Sequence, residues 1–270
     1  MPEGHVLHRL AAELNRDFRG RELTVTSPQG RFAAEAATLD GHRIEVAEAV
    51  GKHLFITFDA PQPEHIVHLH LGLIGSLRFE PSADVWGQIR LRIDNGETAA
   101  NLRGPQWCRL LTEAGRESVL ARAGEDPLRE DADPEQLRPR VQRSRRSIGS
   151  LLMDQKFFAG VGNIYRAETL FRLGISPFRP GNQIRDNEFD SIWADLVGLM
   201  TIGVARGRID TVRDEHTPEA MGRPPRRDDH GGEVYVYRRA GQPCYLCATP
   251  IAEQSMEGRN LFWCPACQQD

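Results

Sequence analysis

Four of the five cysteines fall in the last 27 residues as two Cys-x-x-Cys pairs, Cys244 with Cys247 and Cys264 with Cys267, and no other feature constrains the fold as tightly. The 16 residues between the pairs let two knuckles converge so that four thiolates surround one ion tetrahedrally. Ile251, Leu261 and Phe262, with a turn at Gly258, suggest a β-hairpin, so the chain is expected to end in a zinc ribbon. A closed four-cysteine shell leaves no position for water, which makes a single structural Zn2+ the expected cofactor. Two disulfides are the alternative; the charged opening MPEGHVLHRL is no secretion signal and speaks against them. Cys108 stands apart and reads as a small buried hydrophobe.

Upstream the hydrophobic pattern changes once. Val6, Leu7, Leu10 and Leu14 lie at helical spacing, so a short amphipathic helix is expected over Glu3 to Arg16. Segments 53–58, 66–71, 76–79 and 88–93 are short, rich in β-branched and aromatic residues, and separated by Gly, Pro, Asp and Asn, which predicts an antiparallel sandwich or barrel over residues 1–120. Beyond Pro134 the segments 134–142, 147–154, 163–173 and 186–206 read as helices. Residues 207–232 have no periodicity and read as a long mobile loop.

Hydrophobic residues at 40% and charged residues at 27% fit a folded globular chain. No apolar run is long enough to cross a membrane, and a cytoplasmic monomer is expected. The net charge of −4 argues against a nucleic-acid partner, because phosphate neutralisation by Lys and Arg supplies most non-specific affinity. Its distribution argues the other way: Arg138, Arg140, Arg143, Arg145 and Arg146 come with no acid among them, while acids concentrate between Glu113 and Glu135. A strongly positive face and an ordinary solvated helix face both fit that run.

Pro2 permits covalent chemistry. Removal of Met1 would leave a free secondary amine, able to attack an electrophilic carbon and form an iminium that serves as an electron sink. Pro2 also suits the first turn of a helix, and Glu3 suits the helix dipole.

Several motifs occur together and in one order: Pro2-Glu3-Gly4, Gly51-Lys52-His53-Leu54, His70-Leu71-Gly72-Leu73-Ile74-Gly75, the stretch from Leu152 to Lys156 followed by Gly160-Val161-Gly162-Asn163-Ile164-Tyr165, and Glu257-Gly258-Arg259-Asn260 inside the cysteine pairs. Together they resemble the formamidopyrimidine-DNA glycosylase and endonuclease VIII family over nearly the whole chain. Pro2-Glu3-Gly4 and Asn101-Leu102-Arg103-Gly104-Pro105 look more like the endonuclease VIII side, especially its actinobacterial type.

The resemblance implies an α+β multidomain fold: an N-terminal β-sandwich with its helix (1–120), a helix-two-turn-helix domain with a long loop (121–232) and a four-cysteine zinc finger (233–270), with DNA across the cleft between domains. It implies a bacterial, nucleoid-associated base-excision enzyme acting on double-stranded DNA with damaged bases or abasic sites. Pro2 would be the nucleophile, Glu3 a proton carrier and Lys52 an assisting cation. Asn163, Arg259 and, more weakly, Lys156 and Arg146 would contact phosphate, and Leu73 would fill the void left by a flipped nucleotide. Arg103 matches the family's second void-filling loop, but Gly104 and Pro105 follow it, so the aromatic wedge of the formamidopyrimidine branch is absent. Taken singly, Lys52 could be a surface turn lysine, Asn163 a residue tolerant of a left-handed turn and Leu73 part of a core. Oxidised pyrimidines are the expected lesions; 8-oxoguanine specificity, or a non-catalytic protein binding damaged DNA, is the alternative, and a zinc-ribbon interaction module would leave Pro2 unexplained.

Overall fold

The computed structural model describes residues 2–61, 63–228 and 232–269, and they form two compact units, Met1–Arg122 and Ala123–Asp270.

The first unit opens with α1 (Gly4–Asp17), whose Leu7, Leu10, Ala11 and Leu14 are buried along one face. There follow β1 (Thr24–Thr26), α2 (Ala33–Leu39), β2 (Ile44–Val50), β3 (His53–Phe58), β4 (Ile66–His70), β5 (Ser76–Pro81), β6 (Ile89–Asp94), β7 (Thr98–Arg103), β8 (Trp107–Leu111) and α3 (Glu113–Leu120). The strands form two four-stranded sheets, ordered β1-β6-β7-β5 and β2-β3-β4-β8, and every pairing is antiparallel. A sandwich results, not a closed barrel. Its core takes Leu54, Ile56 and Phe58 from one sheet, Leu91, Ile93, Ala100 and Leu102 from the other, and the apolar face of α1. The sequence reading found α1 and strands β3 to β6 but singled out none of β1, β2, β7, β8, α2 and α3. The sequences of β2 (IEVAEAV) and β7 (TAANLR) are rich in Ala, Glu and Asn, poor strand formers that hold a strand here because they are paired on both sides or buried.

The register settles which segments share an end of this sandwich. Asn15 bonds both backbone groups of Ala47, its amide donating to the carbonyl and its oxygen accepting from the N–H, each at 2.8 Å, while Arg19 bridges Ile44. Helix and strand therefore run in opposite directions. From Asn15 back to Glu3 the helix climbs about 18 Å, and from Ala47 to Gly51 the strand advances about 13 Å, so the start of α1 and the β2–β3 turn lie toward the same end. Leu54 faces Leu69, His70 faces Trp107, and Ser76 and Ile89 both face Arg103. The loops 71–75 and 104–106 and the entry to β6 thus open at that end as well.

The second unit contains α4 (Pro134–Gln142), α5 (Ile148–Met153), α6 (Asn163–Arg172), α7 (Asp186–Arg206), α8 (Pro218–Met221) and the hairpin β9 (Ala252–Met256) and β10 (Arg259–Trp263). Asp133 caps α4, with Pro134 in its first turn, and Ser147 caps α5. Gly207, left-handed at φ 71°, ends α7. Cys244, Ile251, Phe262 and Cys264 belong to the same buried cluster as the helices, so the hairpin is part of this unit's core. The stretch read as an aperiodic mobile loop carries a single 3-10 turn (Asp214–His216) and α8; residues 229–231 within it lie outside the described residues. It is tied down by polar contacts: the Tyr235 hydroxyl accepts from the Arg213 N–H and bonds His216 Nδ1, each at 2.9 Å, and Arg223 pairs with Glu233 at 2.7 Å.

Candidate functional site

In the first unit, five of the anticipated residues sit on the segments that open at one end of the sandwich. Pro2 is half-buried and Glu3, the residue that caps α1, is fully buried. Lys52 is half-buried in the two-residue turn Gly51-Lys52, which has the left-handed glycine (φ 59°) at its first position that a tight hairpin favours. Leu73 is 56% exposed and Ile74 87% exposed. Their loop is held by the Gly75 N–H donating to the Leu71 carbonyl and by the Gly72 N–H donating to His70 Nδ1. A Cβ on Gly75 would meet the Leu71 carbonyl oxygen at 2.2 Å, which fixes glycine there. Leu73 is therefore not core. Arg103 is far from a free cation: it donates to Glu80 at 2.8 Å and to the Trp86 carbonyl at 3.1 and 3.2 Å, and its guanidinium lies 3.9 Å from the centroid of the Trp86 ring.

In the second unit, Asn163 begins α6 and is buried. Its amide donates to the Asn260 carbonyl at 2.9 Å and its oxygen accepts from Arg166. Asn163 is thereby joined to the residue that follows Arg259. The hairpin turn Glu257-Gly258 has both residues left-handed, at φ 52° and 67°, and directs Arg259 opposite Met256. Lys156 is exposed, its backbone N–H bonded to Asp154 and its carbonyl to Arg140. Arg146 pairs with Asp154 at 2.7 Å and Glu257 at 3.5 Å. The arginine run does not make one uniform face: Arg138 is taken up by Glu135 and Asp190, and Arg140 lies over Phe157, whereas Arg143 and Arg145 are exposed.

The four cysteine sulfurs lie within 4.8 Å of one another, with neighbouring pairs at 3.4, 3.5 and 3.9 Å. Tetrahedral thiolates on zinc would stand about 3.8 Å apart, so the donor set fits one metal ion. The first knuckle closes through left-handed Ala248 and an N–H of Leu246 on Cys244 Sγ. Gln268 secures the second, accepting from the Cys264 N–H and donating to the Ile175 carbonyl, each at 3.0 Å. Hydrogen bonds from Thr249 lower the Cys247 thiol below its ordinary value.

Three features escaped the sequence reading. Beside Lys52, strand alternation sets His53, His68 and His70 on one face with Phe55, Trp107 and Arg109. Arg109 Nε donates to His68 Nδ1 (3.3 Å), so His68 donates from Nε2 to His53 Nδ1 (2.9 Å). Burial holds His53 to about 4 and His68 to about 3, keeping the row neutral. The alternation of His with apolar residues in β4 (IVHLH) was the available signal. Glu168, fully buried, gathers the N–H groups of Tyr235, Val236 and Tyr237 at 2.7 to 2.9 Å and the Thr211 hydroxyl at 2.5 Å; nothing local announced it. A cavity of about 800 Å³ lies beside the end of α7, lined by Arg172, Arg206, Asp210, Arg213, Glu215 and Glu233 among others.

Residues 1–103 match the formamidopyrimidine-DNA glycosylase N-terminal domain and residues 123–214 the formamidopyrimidine-DNA glycosylase H2TH domain. The chain is 47% identical to Endonuclease 8 1 of Mycobacterium tuberculosis, covering 99% of this chain and 100% of that protein. It belongs to the formamidopyrimidine-DNA glycosylase and endonuclease VIII family. It is also 34% identical to the formamidopyrimidine-DNA glycosylase of Serratia proteamaculans over 74% of each chain. Among solved structures, the Lactococcus lactis Fpg complex with DNA containing an abasic site superposes with a TM-score of 0.79 at 20% identity, covering 99% of this chain and 100% of that one. MutM in complex with DNA containing carbocyclic 8-oxo-G gives 0.77 at 20% identity over the full length of both chains. These structures share the fold of this chain. No helix among the described residues is long and apolar enough to cross a membrane.

Proposed function

We propose that this family member is a bifunctional glycosylase and abasic-site lyase of base excision repair that removes oxidised pyrimidines from double-stranded DNA through a covalent intermediate on Pro2. The observation that carries the reading is the convergence, at one end of the sandwich, of the Pro2-Glu3 helix start, the Lys52 turn and a glycine-shaped loop that pushes Leu73 into solvent.

The chemistry follows from those groups. The Pro2 nitrogen, freed of Met1 (which lies outside the described residues), attacks C1' of the damaged nucleotide; the bond from C1' to the base breaks, and the base leaves with a proton. The partial positive charge at the start of α1 disfavours an ammonium there, and an unprotonated amine is what attack requires. Glu3, shielded from water, moves a proton as the sugar ring opens to the iminium. Loss of a C2' proton then expels the 3'-phosphate, and a second elimination at the 5' side leaves a one-nucleotide gap. Lys52 steadies phosphate or base. Leu73 occupies the vacated stack, since a target base must leave the duplex to be reached. In the second unit, Asn163, Arg259 and Lys156 serve as phosphate donors, with Arg259 suited to bidentate contact. Zn2+ on Cys244, Cys247, Cys264 and Cys267 would supply no chemistry, only a rigid hairpin for Arg259. The parts 1–120, 121–232 and 233–270 thus divide the work into nucleophile, helical DNA clamp and finger.

Borohydride trapping tests the proposal. The wild-type protein should be trapped on an abasic-site duplex, whereas Pro2→Gly, or a form that retains Met1, should not; equal trapping of the variant would remove Pro2 from the mechanism. Duplexes carrying dihydrouracil, thymine glycol and 8-oxoguanine should be cleaved with the pyrimidine lesions preferred.

A further inference from the structure

Among the described residues, every large apolar side chain that is more than half exposed lies in the first unit. Leu73, Ile74, Val85 and Trp86, all more than half exposed, lie on just two loops, 71–75 and 82–88. These loops lead into β5 and β6, whose first residues flank Arg103 on either side. Ile74 Cγ1 would stand 3.9 Å from a Cβ built on Gly104, and Arg103 Nε 3.6 Å from one on Gly87. The two loops are therefore neighbours, with Arg103 and Gly104 between them.

Trp86 is held there by a connected polar network. Asp94 pairs with Arg92 at 2.7 Å; Arg92 donates to the buried Asn101 at 2.9 Å. Asn101 donates to Glu80 at 2.6 Å, Glu80 holds Arg103, and Arg103 lies against one face of the indole while bonding the Trp86 carbonyl. One ring face is covered by a cation, and the residue as a whole remains 52% exposed. The contact orders the indole in the folded chain while leaving much of its surface open to a further partner. A flat, pre-ordered aromatic surface backed by a guanidinium is suited to stacking a nucleobase.

Position identifies the base. Lys52 lies in the turn between β2 and β3 of the sheet β2-β3-β4-β8, against which α1 is held through Asn15, Leu73 and Ile74 lie on the connection from that sheet to the other, and Trp86 rests against Arg103 of β7 in the second sheet. A residue filling the void of an extruded nucleotide stands between the extruded sugar and the partner base left behind. We infer that Trp86, backed by Arg103, is the platform on which the unpaired base opposite the lesion stacks, and so a determinant of opposite-base preference. This inference rests on the glycosylase reading above.

The test compares wild type, Trp86→Ala and Trp86→Phe on dihydrouracil duplexes whose opposite nucleotide carries guanine, adenine or the fluorescent base 2-aminopurine, or is a tetrahydrofuran with no base. Binding is followed under single-turnover conditions. Stacking predicts quenching of 2-aminopurine by wild type and by Trp86→Phe, loss of that quenching in Trp86→Ala, and an affinity loss of about tenfold in Trp86→Ala. The loss should shrink to less than about twofold when the opposite nucleotide has no base. The Phe variant retains a ring and guards against a folding artefact. Unchanged quenching and affinity in Trp86→Ala, as a protein-docking tryptophan would give, overturn the inference, and so does an equal loss on the tetrahydrofuran duplex. Absence of any trapping or cleavage by wild type would instead overturn the glycosylase reading beneath it.

Discussion

The side-chain amide of Asn163, at the first position of α6, donates to the carbonyl of Asn260 in the cysteine-bearing hairpin at 2.9 Å. This one bond couples the start of a helix to the strand carrying Arg259. Replacing Asn163 with Ala removes that donor and the oxygen that Arg166 bonds, at a buried site where a lost polar partner costs about 1–3 kcal/mol. The expected result is a lower urea midpoint together with weaker binding of an abasic-site duplex; a variant as stable as wild type would show that the bond is not what seats the hairpin.

Glu168 organises the return of the chain after the 207–232 segment by accepting from three consecutive backbone N–H groups. Glu168→Ala leaves those donors buried without their acceptor, and a loss of about 3 kcal/mol or more is expected. Glu168→Gln retains an acceptor but introduces an amide N–H among donors and should fall between the two. Thermal unfolding of the three proteins gives the order directly.

Metal removal should act on the second unit. The purified chain is expected to hold one zinc, released when the thiols are titrated with a mercurial and counted with a chromogenic chelator. Because binding energy at such sites is folding energy, loss of the ion or Cys264→Ser should lower the melting midpoint by about 10 °C or more. Retention of full stability after stoichiometric release would make the site dispensable.

Acid should destabilise the first unit earlier than carboxylate titration alone would. Burial holds His5 and His53 to about 4 and His68 to about 3, whereas unfolded histidines protonate near 6.5. Between these limits the unfolded chain binds more protons, so stability is full above about pH 6.5 and falls as the pH drops toward 4. The loss should be about 2 kcal/mol for each of these histidines by pH 5, and on the order of 6 kcal/mol for the three together. Urea midpoints from pH 7.5 to 5 measure it, and His68→Phe, which keeps a ring on Phe55, should flatten the slope. A midpoint constant across that range would contradict neutral burial.

Much was legible from local order alone. The two cysteine pairs and the Gly258 turn dictated a metal-fitting hairpin, because ligand spacing and turn chemistry are properties of a few adjacent residues. The spacing of Leu7, Leu10 and Leu14 dictated α1, and Asp133-Pro134 and Ser147 carried the caps of α4 and α5. The motif set from Pro2 to Arg259 was sufficient for the family. Tertiary structure alone decided what depends on distant partners. Poor strand formers became β7 because strands on both sides supplied its hydrogen bonds, and β2 because β3 paired with it and α1 was held against it. The segment 207–228 acquired its anchors from Glu233, Tyr235 and Tyr245 far along the chain. Arg103, which in sequence only matched a family loop, became the backing of Trp86 because strand register placed Glu80 and the 82–88 loop beside it: a side chain's charge is written locally, but its partners are set by long-range pairing.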